Sequence, residues 1–83
     1  MAERTPKEKR ISKGKAAERL LNDPIISEAF EKLEAKYNSA WVSSGLEDNQ
    51  KRETLYLSIR ALGELRLELE SMINTGKIAQ QEQ

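Results

Sequence analysis

Acid–base or nucleophilic chemistry in this chain would have to rest on carboxylates, lysine, serine, threonine or tyrosine, because its 83 residues include neither cysteine nor histidine. Losing both types removes the thiolate nucleophile, the ordinary zinc ligands and the base that titrates near neutral pH. The densest carboxylates, Glu64, Glu68 and Glu70, have no histidine near them, whereas metal sites in helical bundles normally add a Glu-x-x-His. They read as a solvated acidic face. Gly14 in ISKGKAAERL stands alone, and a GK pair without the rest of a phosphate-binding loop carries little information. No catalytic, metal or cofactor-binding residue is therefore expected, and the chain reads as non-enzymatic.

Charge is more informative than chemistry. The formal net charge is zero, yet residues 1–19 hold seven basic groups against three acids, and residues 20–83 hold seven against eleven. The head is thus basic by four charges and the body acidic by four. Arg4, Lys7, Lys9, Arg10, Lys13, Lys15 and Arg19 are candidate contacts to nucleic acid or another anion. With no aromatic side chain among them, such contacts would go to phosphates and carry no sequence readout. The competing reading is an arm that folds back on an acidic body.

The elements that position these residues are helical. Residues 50–74 (QKRETLYLSIRALGELRLELESMIN) lack proline and repeat apolar residues at Leu55, Ile59, Leu62, Leu65, Leu69, Met72 and Ile73, the spacing of a helix with one buried face. Asn22-Asp23-Pro24 predicts a helix start at Pro24, with Asp as N-cap and Pro at the first helical position. The stripe of that helix is Ile26, Ala29, Phe30, Leu33, Tyr37, Ala40 and Trp41, and its aromatic residues read as core. Gly45 and Gly76 are placed as helix terminators, and Asp48 or Asn49 as the cap of the long helix.

The short SSGLED connection makes the two helices antiparallel neighbours. The expectation is an all-α fold: an antiparallel helical hairpin with a short additional N-terminal helix and disordered termini. The single helical domain spans residues 12–76, preceded by a disordered basic arm over 1–11 and followed by a polar tail over 77–83. Each stripe is too short for a long coiled coil. No run approaches the roughly 18 to 20 apolar residues that span a bilayer, and no apolar segment of a signal peptide follows the N-terminal charges.

Two features of the long helix do not fit a simple hairpin. Arg66 falls within the apolar stripe, where it must snorkel or pair with an acid. Tyr56, Gly63 and Leu67 form a second stripe about 100° from the first, and a glycine inside a helix usually marks a close approach. Tyr56, Gly63, Arg66 and Leu67 are the candidate subunit or partner interface. A domain this small has a thin core, which further favours self-association.

The segments KAAERLLNDPIISEAFEKLEAKYNSAW and DNQKRETLYLSIRALGELRLELESMINTGKIA resemble small helical proteins of tailed bacteriophages from the head and DNA-packaging gene region. The likeness rests on a lysine-rich arm, LLNDPIISEAF, KYNSAW, RETLYLSIRAL and TGKIA, none of them a catalytic motif. It implies virion assembly or DNA packaging, in a role like that of a small terminase subunit, although this chain lacks a helix-turn-helix. The expected function is a packaging or head-assembly accessory that self-associates through helix faces. The alternative is a small regulatory or inhibitory protein docking on a host or phage partner. Expected partners are copies of itself or another protein, with non-specific DNA reached through the arm and neither membrane nor small molecule. The expected location is the host cytoplasm or the virion.

Overall fold

The computed structural model describes residues 5–82, and among them all regular structure is helical: α1 (Pro6–Asn22), α2 (Pro24–Ser43) and α3 (Asn49–Gln81). Helix α1 starts six residues before the sequence reading placed the domain. Of the arm expected to be disordered, only residues 1–4 lie outside the described residues. The reason is a start signal at Thr5-Pro6-Lys7-Glu8: the Thr5 hydroxyl accepts from the Glu8 amide at 3.1 Å. Pro6 occupies a first-turn position that needs no N–H, and Glu8 places a negative charge where the helix dipole favours it.

Asp23 joins α1 to α2 alone. Its amide donates to the Leu20 carbonyl at 3.1 Å, closing α1, while its carboxylate accepts from the Ile25 and Ile26 amides at 2.8 and 3.3 Å, opening α2. The extended backbone of Asp23 is the conformation a following proline requires. Ser27 ties the joint by donating to the Leu21 carbonyl at 3.3 Å. At the other end of α2, Ser44 takes the capping position, and no glycine has positive φ. Gly45 is therefore not the left-handed terminator the sequence suggested. Asp48 caps α3, accepting from the Lys51 amide at 3.2 Å.

Both shorter helices run antiparallel to α3, and they do so end to end. In α1, Arg10 meets Glu82 and Gly14 meets Gly76. In α2, Glu34 pairs with Arg66, and Trp41 lies under Arg52. The result is a rod of 58 × 25 × 23 Å. Apart from Ser58 and Ala79, the positions of α3 withdrawn from solvent are Arg52, Leu55, Ile59, Leu62, Arg66, Leu69, Ile73 and Gly76. They alternate by three and four residues, the 3.5-residue repeat of a left-handed coiled coil. A single helix would be too short to match that seam. The end-to-end pair α1–α2 matches it, and the joint at Asp23 absorbs the change of phase between Leu21 and Phe30.

The seam is sparse. Among the described residues only Ala17, Phe30 and Ala79 are buried hydrophobic residues. Leu33 and Leu65, expected in the core, are 36% and 53% exposed, and Met72 is also exposed. Two helices bury only the narrow seam between them, whereas the broader stripes of α2 and α3 need a third layer. Arginines replace leucines at two seam positions: the Arg66 guanidinium sits 4.7 Å over the Phe30 ring and 3.0 Å from the Glu34 carboxylate. Arg52 sits 4.1 Å over Trp41 and donates to the Ser44 hydroxyl at 3.2 Å.

Helix α1 is held differently. A Cβ built on Gly14 would lie 2.9 Å from the Met72 carbonyl oxygen, and one on Gly76 would lie 3.0 Å from the Arg10 carbonyl oxygen and 3.1 Å from the Gly14 Cα. The two backbones touch. Gly76 is thus a packing residue inside α3 and not its end, and the expected polar tail is helical through Gln81. Gly63, by contrast, has nothing within 4 Å of an added Cβ.

The two glycines predict opposite outcomes. Gly63→Ala should stabilise by roughly 0.5 to 1 kcal/mol, through helix propensity and a less free unfolded chain. Gly76→Ala should destabilise by about 1 to 3 kcal/mol, because the obstructing atoms are backbone and cannot swing aside. Urea unfolding of both variants checks this, and a stabilised Gly76→Ala would refute the close crossing. In the same assay, a double-mutant cycle of Arg66→Met with Phe30→Leu should give a coupling of about 0.5 to 1 kcal/mol; additive losses would show the stacking to be incidental.

Candidate functional site

The candidate residues distribute over the rod in ways that sequence alone does not show. Among the described residues no group of three or more acidic side chains could hold a metal ion. Glu68 and Glu70 lie about 160° apart at 100° per residue, so they cannot converge on one ligand. Glu64 is taken up by Arg60 at 3.4 Å.

Of the basic set, Arg4 lies outside the described residues. Lys7 donates its ammonium to the Glu82 carbonyl, and Arg10 pairs with the Glu82 carboxylate at 3.2 Å. Both therefore clasp the end of α3, as a folded-back arm would. Lys9, Lys13, Lys15 and Arg19 are exposed. Helical geometry puts Lys9 with Lys13 and Lys15 with Arg19 on different sides of α1, about 120° apart. They do not form one basic stripe.

The second stripe of α3 is open. Tyr56 and Leu67 are 52% and 63% exposed, and Gly63 is exposed between them. Arg60 belongs to the same strip, its guanidinium donating to the Tyr56 hydroxyl at 3.4 Å and facing Glu64. The Tyr56 hydrogen bond, then Glu64, raises the Arg60 pKa above its ordinary value, so its charge is fixed at any working pH. Arg66 is not part of the strip; it turns into the seam with Glu34 and Phe30.

A larger surface escaped the sequence reading. A layer two helices thick has two broad sides, and one groove between α2 and α3 is lined by Ser27, Phe30, Glu31, Glu34, Arg66 and Glu70, which fixes that side as the one bearing Tyr56, Gly63 and Leu67. The opposite side then carries Leu33 and Ala29 of α2 beside Leu65 of α3, all exposed. It continues past Met72 to Leu20 of α1, also exposed. The signal for it was the width of the stripes: Leu65 and Met72 flank the 3.5-residue seam and need cover beyond it.

If DNA binds α1, the split of its charges limits a single duplex to about two phosphate contacts from one side. The slope of log K against log salt should be about −2. Titration of a labelled duplex at several salt concentrations measures it, and a slope of −4 or steeper would mean that the charges act together.

The comparisons with known proteins add no relative to this geometry: no family model matches the chain, and neither a curated protein nor a solved structure matches it.

Proposed function

We propose that this chain is an assembly element that works by binding and not by catalysis, and that it self-associates through its helix faces. The observation that carries the reading is surface left uncovered. A compact monomer of 9.5 kDa exposes about 5,000 Å², whereas this chain exposes 6725 Å². Its radius of gyration is 17.7 Å, against about 12 Å for a compact fold of this length. Large apolar residues are part of what is uncovered: Ile25, Leu33, Val42, Leu57, Leu65 and Leu67 are all exposed. A seam with three buried hydrophobic residues gains little on its own, so covering these faces couples association to folding.

Within the setting implied by the resemblance to small helical phage proteins, such an element fits an accessory of head assembly or DNA packaging. The open Tyr56–Gly63–Leu67 strip and the Leu33–Leu65 side supply the contacts. Light scattering and thermal melts over a hundredfold range of protein concentration test the reading. The expected result is a species larger than a monomer, with a melting temperature that rises with concentration. A monomer with a concentration-independent melting temperature would end it and favour the regulatory reading, in which the same faces meet a different protein.

A further inference from the structure

Resting on that reading, we infer that copies of this chain stack face to back: the Leu33–Leu65 side of one covers the Tyr56–Gly63–Leu67 side of the next. The contact joins two unlike surfaces, and the occupant of each is a second copy.

Three observations carry this. The first is area: the excess of roughly 1,700 Å² over a compact monomer is about twice the 800 Å² that each partner gives to a standard interface. An excess of that size leaves room for a standard contact on each of the two broad sides. The second is charge. Lys13 and Glu68 line one groove with Met72 on the Leu33–Leu65 side, and helical projection puts Lys9, Lys36 and Lys51 there too. That side holds four lysines and one glutamate. The opposite groove is lined by Glu31, Glu34 and Glu70 around Arg66. Near α1 the same side holds Glu18 with Lys15 and Lys77, and Arg60 beside Tyr56 is satisfied by Glu64. Two copies meeting through their lysine sides would oppose like charges in either direction, whereas a lysine side on a glutamate side attracts. The third is shape. Gly63 leaves a bare length of α3 on the acidic side, with nothing within 4 Å of an added Cβ, and a bulky side chain such as Leu65 or Leu33 can enter there.

A contact between unlike faces is heterologous, so each copy added leaves one face of each kind open, and growth ends only by closing a ring or as a filament. This differs from a two-fold dimer in a way mixing experiments detect. Leu65→Asp disables the lysine side and Leu67→Asp the glutamate side. Both positions are more than half exposed, so both variants keep the fold, which their helical circular dichroism verifies. Leu33→Asp and Tyr56→Asp give an independent pair on the same two sides.

By size-exclusion chromatography with light scattering, the parent should be larger than a dimer. Each variant alone should be monomeric. An equimolar mixture of the two should form a one-to-one complex and stop there, because each still has the face the other lacks. Suppose instead the parent associates, one variant abolishes association, the other does not, and mixing restores nothing: the contact is then two-fold through a single face, and the face-to-back arrangement is overturned while self-association stands. A parent monomeric throughout overturns both.

Discussion

The approach of α1 to α3 at Gly14 and Gly76 is the constraint on which the architecture turns. Two glycines with mutual backbone contact allow the axes to come closer than any larger pair would, and Ala17 and Ala79, both buried, extend the small-residue seam. Each glycine costs about 1 kcal/mol of helix propensity against alanine, which close dispersion contacts along the crossing must offset. The consequence is positional. Held against the last third of α3 and clasped at its end by Lys7 and Arg10 on Glu82, α1 lies in line with α2 and not beside it. A third layer never forms, and both broad sides of the α2–α3 pair stay open.

The seam of that pair shows why it does not compensate. Arg52 and Arg66 occupy positions where a coiled coil would place leucine, and they work by stacking on Trp41 and Phe30. Such stacks are directional, which helps fix the register of α2 on α3. Partly exposed as they are, they add at most about 1 kcal/mol each. The helices are aligned by specific contacts and held together weakly.

What could be read from the sequence follows from how local each signal is. The caps depend on a few neighbouring atoms: Asp23 stands where the residues put it, and of the two candidates Asp48 and Asn49 it is Asp48 that caps α3. The exposed strip at Tyr56, Gly63 and Leu67 was also visible, since a second apolar column off the seam shows in the spacing. Gly14 was passed over as half of an uninformative GK pair and Gly76 was misread as a helix end, because a glycine's local preferences do not reveal a helix that crosses it from more than sixty residues away. The Thr5-Pro6 start was overlooked for a similar reason: a polar, lysine-rich stretch looks unable to bury anything until Gly14 and Ala17 are seen to dock. The lysine side around Leu33 and Leu65 was hidden because a wide stripe shows that cover is needed without showing whether it comes from the chain itself.

The distribution of charge bears on why that cover should come from copies. A chain with zero net charge has no long-range repulsion to limit growth, and solubility must then come from how charge is arranged. Here the arrangement differs by side: lysines predominate around the Leu33–Leu65 surface, whereas glutamates line the α2–α3 groove of the other, with mixed charge beside α1. A two-fold pair through the lysine sides would bring lysine against lysine, and one through the α2–α3 groove would bring Glu31 and Glu70 against their own copies, so the arrangement favours stacking of unlike sides over pairing of like ones. The proposed stacking would cover the apolar columns that the two-helix seam leaves exposed, so the thinness of the fold and the asymmetry of its surface would be answered by the same contact.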